Sequence, residues 1–253
     1  MVFYLYRHRT ENGMRICVIT DNEFVFNAFF KIVAERKEWK IDFFYSKNSL
    51  ESEQIFGKIK VCHPILLNEQ KEDFFNLYDL FFSMHCKQIF PNELVLNHRC
   101  INIHPGFNPY NRGWYPHVFS IMNKYPAGVT IHEMDSQLDH GAIIFQKEVP
   151  IYEYDTSLDV YSRIQKCEVE MLKEHLEELV AGNYETVHVE DEGNLNYKKD
   201  FEKLCEFDLN QLATYGEVID VLRATSFKGY SNAFFRGSDG KKIYVNIQLK
   251  KER

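Results

Sequence analysis

Short apolar runs that each stop at a polar turn recur along this chain, with helically spaced segments between them, and that recurrence admits few architectures. Met14–Thr20 reads Met-Arg-Ile-Cys-Val-Ile-Thr and halts at Asp21-Asn22, after which residues 24–34 repeat apolar side chains at helical spacing. Residues 41–45, 57–62 and Leu80–Met84 are further strand candidates, with helix or loop over 67–77. Strands alternating with helices need crossover connections, so the expected fold is α/β, with a Rossmann-like, mostly parallel sheet. Ligands of such sheets lie beyond the carboxyl ends of the strands, which singles out Asn22, Lys87 and His104. The first turn, Thr20-Asp21-Asn22-Glu23, lacks Gly-x-Gly-x-x-Gly, so the usual dinucleotide fingerprint is missing.

The stretch Cys100–His104 alternates apolar and polar residues and then breaks at Pro105-Gly106. On a strand, Asn102 and His104 project to one side while Ile101 and Ile103 project to the other. Proline ends the ladder because it has no N–H, and both polar heads are left at the strand's end. An imidazole beside a neutral amide donor suits removal of a proton from a nucleophile while charge grows on a carbonyl oxygen. The same pair also fits a purely structural hydrogen bond. Residues 114–122, opened by Pro116, form a candidate helix, and strands over 127–132 and 142–149 enclose a polar loop holding Asp139. Asp139 can orient His104 or relay its proton, or can simply be a turn aspartate before Gly141.

Further on, residues 156–180 carry the clearest helix, opened by Thr156-x-x-Asp159 and closed by Gly182-Asn183. An acidic, polar stretch over 189–196 marks a boundary, and beyond it a helix over 208–224 and a β-hairpin of residues 231–236 and 242–249 with one buried face are expected. Three segments follow: an appendage at 1–13, a core domain at 14–190 and a small α+β C-terminal region at 191–253.

Charge and cysteine usage narrow the partners. Against 30 Lys and Arg stand 37 Asp and Glu, a formal charge of -7 with no basic run, which disfavours nucleic acid. The six cysteines include no Cys-x-x-Cys pair and read as free thiols of a reducing compartment, so a cytoplasmic location is expected. No apolar run reaches the roughly 18 residues of a membrane span, and the N-terminus does not read as a signal peptide. His63, His85, His117 and His132 lack metal-ligand spacing, so no metal is assigned.

Taken together, Asn102-Ile103-His104-Pro105-Gly106, Arg112-Gly113-x-x-Pro116, Gly128-Val129-Thr130-Ile131-His132 and Asp139-His140-Gly141-Ala142-Ile143-Ile144 resemble the folate-dependent formyltransferases. The resemblance covers roughly residues 14–185. Cys86 to Pro91 and Asn108 to Trp114 look closest to the branch that formylates nucleotide-linked amino sugars. It implies formyl transfer from N10-formyltetrahydrofolate to the amine of a dTDP-linked amino-dideoxy sugar, such as dTDP-4-amino-4,6-dideoxyglucose. His104 would be the base, Asn102 the oxyanion partner and Asp139 the orienting or relaying group. Asn22 and Lys87 would meet the diphosphate, Asn111, Arg112 and Trp114 the acceptor side, and Tyr230 the nucleotide. Phe90 and the loop from Asp135 to Leu138 would wall the pterin. A homodimer and a product destined for a bacterial surface polysaccharide are further implications. Glycinamide ribonucleotide as acceptor, formyltetrahydrofolate hydrolysis and a catalytically silent binding module are the competing readings.

Overall fold

A computed structural model describes residues 13–252, so the expected appendage lies, apart from Gly13, outside the described residues. The chain runs β1 (Met14–Thr20), α1 (Glu23–Val33), β2 (Trp39–Ser46), α2 (Leu50–Phe56), β3 (Cys62–Ile65), α3 (Glu72–Phe75), β4 (Leu80–Met84), α4 (Asn92–Asn97) and β5 (Cys100–His104). It continues through β6 (Arg112–Gly113), α5 (Pro116–Asn123), β7 (Ala127–Glu133), β8 (Ile143–Val149), α6 (Ser157–Ala181), β9 (Leu195–Asn196), α7 (Lys198–Cys205), α8 (Tyr215–Thr225), β10 (Phe234–Arg236) and β11 (Lys242–Tyr244). Seven strands form the central sheet in the order β3-β2-β1-β4-β5-β7-β8. β1 pairs in parallel with β2 and β4, and β2 with β3, while β7 and β8 are antiparallel. The mostly parallel Rossmann-like sheet expected from the strand–helix alternation is therefore present. Two compact units divide inside β5, after Asn102.

In the first unit, Ile16 to Ile19 and all of β4 are buried, as befits parallel strands covered on both faces. Phe26 packs edge-on against Phe43 and Phe56, and Phe29 against Phe43 and Phe82. Each such ring contributes about 1.5–3 kcal/mol by burial. Residues 57–62 are not the expected strand. Ser49 accepts from the Ser52 N–H and opens α2, Gly57 donates to Glu53 to close it, and extended pairing starts only at Cys62.

The second unit packs α6 on β7 through a stripe that includes Val160, Ile164, Met171, Leu172, Leu176 and Leu179. The expected cap is present: Asp159 Oδ2 accepts from the Thr156 N–H at 2.8 Å and from its hydroxyl at 2.6 Å. Just before it, buried Asp155 holds Arg163 through two bonds of 3.0 and 3.1 Å and accepts from the Tyr152 N–H. The C-terminal region differs from expectation in three ways. α7 was not anticipated; the helix expected from 208 begins at Tyr215, because Thr214 and Glu217 cap each other there while Asp208 turns the chain. The hairpin pairs Phe234 to Arg236 with Lys242 to Tyr244, where β11 is exposed; past it Val245, Ile247 and Leu249 are half-buried while Asn246 and Gln248 are exposed, so the expected alternation is present but its face is only partly covered.

Candidate active site

Asp139 sits in the loop between β7 and β8 in the left-handed region, φ +49°, where a non-glycine residue persists only if its surroundings hold it. The Gly113 N–H donates to its Oδ2 at 3.0 Å, and Asn108 Nδ2 donates to its main-chain carbonyl at 2.8 Å. His104 Nδ1 stands 3.6 Å from the same Oδ2, both groups being buried. That separation orients the ring through Nδ1 and leaves Nε2 on the side away from the carboxylate. Gly106 makes room for it: a Cβ there would lie 2.3 Å from Nε2. Asn102, also buried, is two residues before His104 in β5 and is the last residue of the first unit.

His132, set aside in the sequence as one of four scattered histidines, faces the other carboxylate oxygen, with Nε2 3.9 Å from Asp139 Oδ1. Its ring crosses that of His104 edge-on at 6.2 Å between centroids. His132 Nδ1 lies 2.7 Å from the Glu133 carbonyl, which requires the proton on Nδ1 and makes Nε2 an acceptor. Burial pushes its pKa below the ordinary value of 6.5, only partly opposed by the Asp139 charge. His132 is thus a neutral imidazole of fixed tautomer that stands beside the carboxylate without donating to it. Only its place near the end of β7, nine residues before Gly141, hinted at this in the sequence.

The loop after His104 is tied down by backbone and side chain alike. Thr130 donates to the Gly106 carbonyl at 2.7 Å and accepts from the Asn108 N–H at 3.0 Å, and Gln146 donates to the Asn108 carbonyl at 2.7 Å. Asn111 is completely buried at φ +53°. Its side chain donates to Ser120 and accepts from Asn123 and Asn194, so it is a polar hub inside the protein and not a surface group. Buried Arg112 reaches the carbonyls of Leu138, at 3.5 Å, and Glu192, at 2.9 Å. A cavity of about 20 Å³ beside Asn108, Arg112, Asp139 and Glu192 is large enough for one water and too small for a sugar or a pterin.

The other expected residues lie as follows. Trp114 and Leu138 are partly exposed, and Tyr230 is exposed with its ring against Phe227. Asp135 pairs with His140 Nδ1 at 2.7 Å and accepts from the Gln137 N–H, which shapes the loop that ends at Asp139. In the first unit, Asn22 caps α1 by accepting from the Val25 N–H at 3.0 Å. Asp21, buried, accepts from Ser46 N and Oγ and from the Lys87 N–H, joining the ends of β1, β2 and β4. Lys87 Nζ is 2.7 Å from Glu51, so its charge is already balanced, and Phe90 is buried. Burial pushes the Cys62 and Cys86 thiols up to about 12, which disqualifies them as nucleophiles near neutrality. Among the described residues no cluster of three or more His, Cys, Asp or Glu is placed to hold a metal, and no helix is long and apolar enough to cross a membrane.

Comparison with known proteins matches two family models: formyl transferase over residues 76–176 and the N-formyltransferase dimerization C-terminal domain over 200–251. The dTDP-4-amino-4,6-dideoxyglucose formyltransferase of Mycobacterium tuberculosis is 48% identical over 176 residues, covering 70% of this chain and 75% of that protein. Among solved structures, a sugar N-formyltransferase from a Shewanella species superposes with a TM-score of 0.91 at 41% identity, over 95% of this chain and 99% of that one. A 4-N formyltransferase from Francisella tularensis gives 0.90 at 40% identity, over 95% and 100%.

Proposed function

Because the chain belongs to the formyltransferase family, within its sugar N-formyltransferase branch, we propose that it moves the formyl group of N10-formyltetrahydrofolate to the amine of a dTDP-linked amino-dideoxy sugar. The 48% identity to a dTDP-4-amino-4,6-dideoxyglucose enzyme favours that acceptor. The observation that carries the reading is the His104 Nδ1 to Asp139 Oδ2 pairing, with the carboxylate fixed by the Gly113 N–H.

In this reading the acceptor amine attacks the formyl carbon, a C–N bond forms, and the bond to N10 breaks as N10 takes up a proton equivalent to the one the amine gives to His104. His104 Nε2 accepts the proton the amine loses, Asp139 stabilises the imidazolium and the side-chain amide of Asn102 donates to the carbonyl oxygen as it gains charge. Phe90, Asp135 and Leu138 belong to the pterin side, and Asn22, Lys87, Trp114 and Tyr230 to the nucleotide sugar. Lys87 would exchange Glu51 for a diphosphate oxygen. Asn111 and Arg112 serve the acceptor side through the segment they hold, since both are buried.

The catalytic domain in this reading spans 14–190 and the C-terminal region 191–253. Leu209, Leu212, Tyr215, Ile243 and Tyr244 are exposed in the region matched by the dimerization model, and a homodimer would cover them. The setting is the cytoplasm, and the product a precursor of surface polysaccharide. Incubation with formyltetrahydrofolate and a panel of dTDP-3-amino sugars, dTDP-4-amino sugars and glycinamide ribonucleotide tests the reading. A 4-formamido product is expected. Preference for glycinamide ribonucleotide, or acceptor-independent formate release, would overturn it.

A further inference from the structure

We propose that Asn108 and the Gly113 N–H are positioning groups for Asp139, held in place by the pairing of β6 with β9, so that the first strand of the C-terminal region sets the basicity of His104. This rests on the reading above only in giving His104 a catalytic task. Asp139 is gripped at both ends: Asn108 Nδ2 takes its main-chain carbonyl and Gly113 N its Oδ2. Asn108 has one orientation that works, because the Asp139 carbonyl needs a donor and only the amide nitrogen supplies one.

Neither grip is free to drift. Asn108 is buried and its backbone is bonded on both sides, to Thr130 and Gln146. The Gly113 amide is delivered by a two-residue parallel pairing, Arg112 with Leu195 and Gly113 with Asn196. The Arg112 N–H donates to the Asn194 carbonyl at 3.0 Å and the Trp114 N–H to the Asn196 carbonyl at 2.9 Å. Asn111 adds side-chain bonds to Asn194, and Arg112 spans from the Leu138 carbonyl to that of Glu192. Residues 192–196 thus clamp 111–114, and 113 holds the carboxylate. Gly113 admits no side chain: its φ is +87° and a Cβ would lie 2.4 Å from the Asn196 carbonyl oxygen. Of the charged and titratable groups around Asp139, His132 faces the other oxygen, the Arg112–Glu192 pair lines the small cavity that Asp139 also borders, and His140 pairs with Asp135 and stands 3.7 Å from Glu192.

A carboxylate aimed at Nδ1 favours the protonated imidazole, so loosening the grip lowers the proton affinity of His104. The test is a 15N-histidine NMR titration of the intact protein, with the His104 signal assigned by its loss in His104→Gln, run beside kinetics on the amino-sugar panel. In Gly113→Ala and Asn108→Ser the His104 midpoint is expected to fall by roughly 0.5 to 1 pH unit. Turnover should drop at least about tenfold at neutral pH with the acceptor KM changing less than about threefold, the split expected when orientation and not binding is lost. Asn108→Ser, which removes one bond without adding bulk, carries the test if Gly113→Ala does not fold. An unmoved midpoint in a folded variant would overturn the proposal, even if turnover fell. A lowered midpoint would support it even if the wild-type protein formylated none of the sugars, and that second result would sink the functional reading alone.

Discussion

Replacing Gly106 with alanine puts one methyl group against His104 Nε2, the atom proposed to take the amine proton. The Cβ would stand 2.3 Å from Nε2, 2.8 Å from Cδ2 and 3.2 Å from Pro116 Cβ. Ordinary contacts of such atoms are about 3.5 Å, so something must move by roughly 1 Å. The Gly106 carbonyl is held by Thr130 at 2.7 Å, and the imidazole is a side-chain end, so the ring yields. A displacement of about 1 Å from a productive geometry costs on the order of 100-fold in rate, about 2.7 kcal/mol in the barrier. Stability should hardly change. Gly106 does not sit at positive φ, so alanine restricts the unfolded chain and gains about 0.4–1 kcal/mol, against about 0.5–1.5 kcal/mol for an off-rotamer imidazole. Steady-state formyl transfer with a melting curve on the same sample separates the two effects. Turnover within about threefold of wild type in a folded Gly106→Ala protein would refute the assignment of Nε2 as the working atom.

Acid should weaken the fold through His132. Its pKa is lowered by burial, so between that depressed value and 6.5 the unfolded chain binds a proton that the folded one does not, and stability present above 6.5 is lost as pH falls. The slope reaches at most about 1.4 kcal/mol per pH unit. Chemical denaturation between pH 7 and 5 should therefore show a steeper loss for wild type than for His132→Asn, and parallel curves would contradict this. Asp155→Ala removes a buried carboxylate that holds half-buried Arg163 and the Tyr152 N–H, and should cost about 1.5–3 kcal/mol, whereas Asp159→Ala removes an exposed helix cap and should cost about 1 kcal/mol. Equal losses in the same denaturation assay would show that the Asp155 pair is not a buried anchor.

The parts of this molecule that a sequence displays best are those whose physics is local. β1 and β4 begin and end where their apolar runs do, and the Thr156–Asp159 cap opens α6, because burial period and capping chemistry act over a few residues. The Asn-x-His pattern was visible for the same reason, whereas Asp139, 35 positions further on, was tied to it by the family resemblance. Gripping of Asp139 by Asn108 and Gly113 depends on residues 26 and 31 positions apart, and the β6–β9 pairing on residues some 80 apart, which no local pattern carries. The burial of Asn111 is likewise not local: the three polar side chains that satisfy it inside come from Ser120, Asn123 and Asn194. The alternation from Ile243 to Leu249 is present, but Ile243 is exposed and Val245, Ile247 and Leu249 are only half-buried in a single chain.

In the proposed mechanism His104, set by Asp139, removes the proton from the acceptor amine. Single-turnover formyl transfer by His104→Ala, with tetrahydrofolate binding to the same preparation measured by calorimetry, tests it most directly. Loss of transfer by a factor of about 100 or more, with binding changed less than about threefold, is the predicted result. Transfer at the wild-type rate by a folded His104→Ala protein would contradict it.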